Sequence, residues 1–173
     1  MEESKGNLVV LSLGSNMGDR EAYLRNAIVM LSDAVGKPHA ISSIYETPPL
    51  GFTAEQTFYN CIAIFHTLLT PEALLNRIHD IERKNNRDRS TLGRTNQPYA
   101  SRTLDVDIVY FSNLILATDQ LIVPHPRRLE RKFVLAPLVE IRPDWIDPEA
   151  KESVEVLLAH VSDTSFLKKI TDF

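Results

Sequence analysis

The sequence predicts an α+β protein with a ferredoxin-like βαββαβ sandwich, in which helices pack on an antiparallel sheet. Two observations lead to this fold class. Segments with strand-like composition alternate with two segments of helical periodicity, and their order along the chain is β-α-β-β-α-β. The chain has 173 residues and contains no internal repeat or low-complexity linker, so we predict a single domain over residues 1–173.

The first half of the predicted fold begins with a strand, a loop and a helix. NLVVLSL is typical of a buried strand, and the turn-rich segment GSNMGD follows it. An apolar stripe at helical spacing then predicts an amphipathic helix from Arg20 to Leu31. The members of this stripe are Leu24, Ile28 and Leu31. HAISSIYET and FYNCIAIFHT predict two further strands, and Pro48 and Pro49 end the first of them.

The second half of the predicted fold contains the other helix and the last strand. Thr70 is a favourable N-cap, and Pro71 occupies the helix position that proline tolerates best. Apolar residues follow at helical spacing, namely Leu74, Ile78 and Ile81. A polar segment without periodicity extends over residues 86–100. After it we predict a strand in SRTLDVDIVYF and a short helix within RRLERKFVLAPLVEI.

Composition and charge exclude some classes of protein. Hydrophobic residues make up 43% and charged residues 24%, which is near the globular average. The apolar runs are too short to cross a membrane, and the acidic N-terminus does not resemble a signal peptide. The single cysteine, Cys61, fits a reducing compartment, so we predict a cytoplasmic protein. The net charge of −4 does not favour binding to nucleic acid.

The last predicted strand carries two aspartates, although Asp is disfavoured in strands. Because side chains alternate, Asp105 and Asp107 share one face, roughly 7 Å apart along the strand. The other face would then point into the core with Leu104, Val106, Ile108 and Tyr110. Two solvated acids on an exposed face are one interpretation of this pattern. A magnesium site is the other, because magnesium usually takes one or two carboxylates together with substrate phosphates.

Basic residues on both sides of the aspartate pair favour a polyphosphate ligand. They are Arg87, Arg89, Arg94 and Arg102 before the pair and His125 and Arg131 after it. Carboxylates that hold a metal and guanidinium groups around them are the parts needed to bind a polyphosphate. The basic segment 86–100 is either a solvated connection or a lid that closes over a charged ligand, and these two interpretations are compatible.

With these features, the sequence resembles a known family, 6-hydroxymethyl-7,8-dihydropterin pyrophosphokinase of folate biosynthesis. The resemblance covers roughly residues 8–147, with the matching segments in the order that the family has. These segments are LSLGSNMGD, SSIYETPPLG, FYNCIAIF, LLNRIHDIE, RTLDVDIVYF, IVPHPRRLERKFVLAPLVEI and RPDW. The family has a ferredoxin-like α+β fold, which agrees with the predicted order of elements.

The resemblance implies transfer of pyrophosphate from ATP to the hydroxymethyl group of a reduced pterin, which gives AMP and the pterin diphosphate. Asp105 and Asp107 match the family's ligands for two Mg²⁺ ions, and Arg102 and Arg94 match catalytic arginines. ATP and the reduced pterin are the expected partners, without nucleic acid or membrane. A monomer is the expected state.

The resemblance also assigns residues to the two substrates. The expected pterin-binding residues are Thr47, Pro48, Leu50, Phe58, Asn60 and Phe133, of which the two phenylalanines match a pair that sandwiches the ring. Taken alone, these phenylalanines would be interpreted as core aromatics. The expected ATP-binding residues are His79, Glu82, Arg102, Ile108, His125 and Arg131. His79 stands where many relatives have glutamine.

The sequence departs from the family in the segment before the aspartate strand. YASR replaces a Trp-Gly-Pro-Arg run, and Tyr99 takes the place of the tryptophan. Two registers are open for the lid arginines: Arg87 with Arg89, or Arg94 after Gly93, which we prefer. We predict a lid over residues 86–100 that is mobile without ligand.

Two other classes of function remain open at this stage. Ferredoxin-like domains also bind small ligands without catalysis, and such a module would not need paired carboxylates. A metal-dependent nuclease would use the aspartates and the basic segment, but it would need a broad basic face that the acidic composition does not favour.

Overall fold

The computed structural model describes residues 6–50, 53–85 and 101–173. In these ranges the strands are β1 (Asn7–Ser15), β2 (Pro38–Ile41), β3 (Ile44–Thr47), β4 (Phe58–Thr67), β5 (Asp105–Phe111), β6 (Leu116–Ala117), β7 (Ile122–Val123) and β8 (Lys168–Thr171). The helices are α1 (Arg20–Ala34), α2 (Pro71–Lys84), α3 (Lys132–Ile141) and α4 (Val154–Ala159). A short 3₁₀ turn, Arg128–Glu130, precedes α3.

The main sheet is antiparallel and has the strand order β5-β1-β4-β3-β8, with β2 also paired to β4. The predicted ferredoxin-like fold is confirmed, with the second predicted strand divided into β2 and β3. The division falls at Ser42, whose N–H donates to the Ile62 carbonyl at 2.8 Å and whose hydroxyl accepts from the Ile62 N–H at 2.9 Å. Both β2 and β3 therefore remain hydrogen-bonded to β4. Strand β8 was not predicted, and it extends the sheet beyond β3.

Helices cover both faces of the sheet. The two helices of the βαββαβ unit, α1 and α2, pack on one face, where the predicted apolar stripes are buried. Helices α3 and α4 contribute to a second core on the other face, together with Val10, Ile62 and Ile64. Within the described ranges, none of the helices is both long enough and apolar enough to cross a membrane.

The starts of α1 and α2 are fixed by side-chain caps. Thr70 accepts a hydrogen bond from the Ala73 N–H at 3.2 Å, with Pro71 in the first turn, as predicted. Asp19 accepts from the Ala22 N–H at 3.0 Å and caps α1 in the same way. Both caps satisfy backbone donors that the first turn of a helix leaves without partners.

A β-bulge changes the direction of side chains in β5. Val10 pairs with Tyr110, whereas the next residue, Leu11, pairs with Ile108, so that Val109 is the extra residue. Tyr110 therefore packs in the core under α3, while Ile108 packs in the core under α1 and α2. The prediction that Tyr110 shares a face with Ile108 is wrong, because the bulge interrupts the alternation between these residues.

Candidate active site

A cavity of about 510 Å³ lies at the edge strand β5 and extends to α2, the β6–β7 hairpin and the beginning of α3. Its lining brings together most of the predicted site residues, which are distant in sequence. These are Thr47, Pro48, Leu50, Phe58, Asn60, His79, Arg102, Asp105, Asp107, Ile108, His125, Arg131 and Phe133. The cavity is therefore the candidate active site.

The two aspartates of β5 form the charged end of the cavity, and each carboxylate contacts an arginine. Arg102 Nη1 lies 2.7 Å from Asp105 Oδ2, and Arg131 Nη1 lies 3.3 Å from Asp107 Oδ2. Burial and the nearby charge of Asp105 raise the pKa of Asp107 above its usual range. Arg131 and Arg102 lower this pKa, but their effect is smaller. Additional positive charge at this end would therefore stabilise the ionised pair.

Small residues of β1 lie opposite the aspartates. Ser12 pairs with Asp107, and Gly14 pairs with Asp105, and both belong to the cavity lining. Because directly paired residues of an antiparallel sheet share a face, these positions leave space beside the carboxylates. They were not predicted from the sequence, although small residues that alternate with leucines in LSLGS were a usable signal.

The donor set at the charged end fits magnesium. It consists of two carboxylates on one strand, and hard divalent cations prefer such oxygen ligands. Within the described ranges there is no cluster of three or more His, Cys, Asp or Glu residues that could hold a metal. Magnesium usually binds through one or two carboxylates and completes its shell with phosphates and water.

His125 is held with one ring nitrogen toward the aspartates. Its Nδ1 accepts a hydrogen bond from the Arg127 N–H at 3.1 Å, and its backbone N–H donates to the Val109 carbonyl at 2.9 Å. Nε2 lies 3.9 Å from Asp107 Oδ2. Burial, with the charge of Arg131, lowers the pKa of His125 to about 4. The neutral ring therefore carries its proton on Nε2, where it can serve as a donor.

The other end of the cavity is neutral and hydrogen-bonded. Asn60 is 4% exposed, and its Nδ2 donates to Thr47 Oγ1 at 2.7 Å. Gly14 lies opposite Asn60, and a Cβ atom there would come within 2.8 Å of Asn60 Oδ1. Glycine is therefore required at position 14 for the observed position of the Asn60 amide.

Two phenylalanines from different elements reach this neutral end. Phe58 is the first residue of β4, and Phe133 lies in the first turn of α3. Both belong to the cavity lining. The Arg131 guanidinium carbon lies 5.6 Å from the centre of the Phe133 ring, so the beginning of α3 connects the neutral and charged ends. That these rings enclose a ligand stays a prediction.

Two predicted site residues are not on the described lining. Glu82 is fully buried, and its Oε1 accepts a hydrogen bond from the Val106 N–H at 2.9 Å. The carboxylate lies behind β5 and supports the backbone between the two aspartates, and its predicted contact with ATP stays a prediction. Arg94 and the predicted lid over residues 86–100 lie outside the described residues.

The cavity also contains residues that the sequence analysis missed. They are Ser12, Gly14, Leu75, Val106, Thr118, Asp119, Gln120, Leu121, Ile122, Pro126 and Arg127. Four of them form the connection between β6 and β7, residues 118–121, and Ile122 begins β7. The pair of two-residue strands that carries this connection is too short to show a periodic pattern.

The aspartate pair and its arginines indicate a class of protein, an enzyme that acts on a phosphate-bearing substrate. The sequence matches the model of the 7,8-dihydro-6-hydroxymethylpterin-pyrophosphokinase family over residues 10–143. The chain belongs to this family, as the resemblance predicted.

Individual relatives agree with the family assignment. The chain is 44% identical over 137 residues to the 2-amino-4-hydroxy-6-hydroxymethyldihydropteridine pyrophosphokinase of Bacillus subtilis, covering 78% of each protein. It is 37% identical over 144 residues to the enzyme of the same name from Porphyromonas gingivalis, covering 83% of this chain and 95% of the relative.

A solved structure agrees with the fold. The Plasmodium falciparum HPPK-DHPS wild type with pteroate aligns with a TM-score of 0.68 at 17% identity, over 92% of this chain and 43% of that one. The chain thus spans less than half of that larger protein.

Proposed function

We propose that this chain transfers the pyrophosphate group of ATP to the hydroxymethyl group of 6-hydroxymethyl-7,8-dihydropterin, with AMP and the pterin diphosphate as products. One observation carries the assignment: a single cavity joins an aspartate pair with arginines at one end to two phenylalanines and a fixed amide at the other. Membership of the pyrophosphokinase family supports the same reaction.

The charged end would bind the triphosphate. Asp105 and Asp107 would hold magnesium, two ions by resemblance to the family, and magnesium would supply charge neutralisation on the phosphates. Arg102 and Arg131 would then be available to phosphate oxygens, because metal-bound carboxylates need less compensation from guanidinium groups. The neutral Nε2–H of His125 would donate to a phosphate oxygen.

The neutral end would hold the pterin. Phe58 and Phe133 would stack on its two faces, and the Asn60 amide can both donate and accept at the edge of the ring. This fixes the hydroxymethyl oxygen toward the β-phosphorus of ATP. In the transfer, a bond forms between that oxygen and the β-phosphorus, the bond from the β-phosphorus to the α,β-bridging oxygen breaks, and the hydroxyl proton is released. Such reactions depend mainly on positioning and charge stabilisation.

An assay for AMP separates this function from the two alternatives. The protein is incubated with ATP and magnesium, with and without the reduced pterin alcohol. We expect AMP only when the pterin is present. Neither a binding module nor a nuclease would release AMP in response to the pterin. Single-domain organisation, a monomeric state and a cytoplasmic location remain predictions.

A further inference from the structure

A buried ion pair lies behind the charged end of the cavity. Arg128 is 5% exposed and Asp147 is 0% exposed, and Arg128 Nη2 donates to Asp147 Oδ1 at 2.9 Å. Arg128 Nε donates to Asp147 Oδ2, so the contact is bidentate. Desolvation makes a buried pair of this kind a costly way to gain stability, which favours a role in specifying geometry.

The pair contacts both backbone segments that carry charged site residues. Arg128 lies in the 3₁₀ turn between His125 and α3, and its Nη1 donates to the His125 carbonyl at 3.2 Å. On the other side, the Tyr110 hydroxyl donates to Asp147 Oδ2 at 2.8 Å. Tyr110 belongs to β5, the strand of the aspartate pair. The pair therefore connects β5 to the turn that carries His125.

Asp147 is itself oriented by its own loop. Its Oδ1 accepts hydrogen bonds from the backbone N–H groups of Glu149 and Ala150, both at 2.9 Å. Burial favours the protonated acid, but Arg128, these backbone donors and Tyr110 together lower the pKa of Asp147 to about 2. The carboxylate is thus a charged and fixed anchor for Arg128.

We infer that Arg128 and Asp147 are positioning residues for pyrophosphate transfer, a role that rests on the proposed function. They set the place of His125 and of the turn leading to Arg131 relative to the aspartates of β5. Neither residue belongs to the cavity lining, so they act through these neighbours. Asp147 also lies beyond residues 10–143, the part that matches the family.

The double variant Arg128→Met/Asp147→Asn tests the inference, because it removes both charges and leaves no unpaired ion in the core. Asn at position 147 can keep accepting from the Glu149 and Ala150 N–H groups through its oxygen, and its amide nitrogen can donate to the Tyr110 hydroxyl, which then acts as the acceptor. We expect thermal unfolding close to that of the wild type, a KM for ATP raised by about tenfold and a lower kcat, since small displacements of positioning groups slow reactions strongly. The Kd for the pterin alone should not change, because no contact at the neutral end is lost.

Two single variants complete the experiment. Glu149→Gln is the matched control: the Glu149 carboxylate lies 2.7 Å from Arg128 Nη2, but it is half-exposed and the buried pair survives its loss. It should keep wild-type kinetics. Arg128→Lys keeps the charge but loses the bidentate contact and the fixed reach to the His125 carbonyl. Arg128→Lys should also raise the KM for ATP. If the double variant does not fold, Arg128→Lys tests the positioning role by itself.

The outcomes separate this inference from the proposed function. A folded double variant or Arg128→Lys with wild-type KM for ATP overturns the positioning role. An equal loss of pterin and ATP binding also overturns it, because a general packing defect would then explain the result. A wild-type protein that forms no AMP contradicts the proposed function instead.

Discussion

The two ends of the cavity are built in different ways. At the charged end, Asp105 and Asp107 lie on one strand face and are compensated by Arg102 and Arg131. At the neutral end, the Asn60 amide is fixed by an uncharged hydrogen bond and by contact with the backbone of β1. The charged end is thus balanced by ion pairs, and the neutral end by hydrogen bonds and close packing.

This difference indicates how each end should respond to its ligand. Ion pairs at the charged end can be exchanged for contacts with a metal and phosphates, because the same carboxylates and guanidinium groups serve both. The Asn60 amide at the neutral end is already held by its hydrogen bond to Thr47, so we expect little change there when pterin binds. Substitutions at the two ends should therefore affect different steps.

Removal of either aspartate should have the largest effect. Asp105→Ala or Asp107→Ala should lower kcat on the order of 10³-fold, because loss of a metal ligand costs several kcal/mol of transition-state stabilisation. AMP formation over a range of magnesium concentrations measures this loss. The control is Asp144→Ala, which removes an exposed carboxylate outside the cavity lining. Full activity in either cavity variant at saturating magnesium would disprove the metal-ligand assignment.

Loss of a stacking ring should affect the neutral end alone. Phe133→Ala should weaken pterin binding by up to about 3 kcal/mol, by analogy with base–aromatic stacking, and leave ATP binding nearly unchanged. Calorimetry with each ligand alone measures both affinities. Phe166→Ala, which removes an exposed phenylalanine, is the control. If the substitution weakens the binding of ATP and of pterin by the same amount, Phe133 acts as a core aromatic, and the two ends of the cavity do not bind different ligands.

Acid should weaken the buried ion pair between Arg128 and Asp147, which lies behind the charged end. The folded pKa of Asp147, about 2, is below the usual carboxyl value, so its contribution to stability is fully present above that usual value and is lost as the pH falls toward 2. The contribution amounts to about 2 kcal/mol. The gap in unfolding free energy between wild type and Asp147→Asn should therefore narrow between about pH 5 and pH 2.

Urea unfolding at several pH values measures this gap. Asp144→Asn, which removes an exposed carboxylate outside the cavity, is the control and should change the free energy of unfolding only slightly. A gap for Asp147→Asn that stays constant over this pH range would show that its ionisation does not support the fold.

The smallest expected effect concerns the hydrogen bond that fixes Asn60. Thr47→Val removes the hydroxyl that accepts from the Asn60 amide, so pterin binding should weaken by about 1 kcal/mol. Thr67→Val is a matched control, because Thr67 is also buried and donates to the Val35 carbonyl at 2.8 Å, at the other end of β4. It should lower stability and leave the pterin Kd unchanged. Equal pterin affinity for wild type and Thr47→Val would contradict a fixed amide.

Local patterns were sufficient to predict most of the fold. The stripe on α1 and the cap at Thr70 are properties of adjacent residues, and both predictions are confirmed. The bulge at Val109 and the strand β8 depend on pairing with distant partners. A four-residue strand with two exposed lysines has no core-forming pattern of its own, so the sequence could not indicate it.

The site was predicted best where a family motif names the residue. The aspartate pair and His125 reach the cavity as expected. Glu82, which the same resemblance names, lies off the described lining, because a motif match does not show that its carboxylate turns inward to accept from the Val106 N–H. The bidentate contact between Arg128 and Asp147 joins residues of separate segments, and only the folded chain brings them together.

The most direct test of the account is a crystal structure with magnesium, a non-hydrolysable ATP analogue and the pterin alcohol. We expect the pterin ring between Phe58 and Phe133, the metal on Asp105 and Asp107, and the hydroxymethyl oxygen facing the β-phosphorus. A pterin bound outside this cavity, or phosphates bound away from the aspartate pair, would contradict the claim that the two ends of one cavity bring the substrates together.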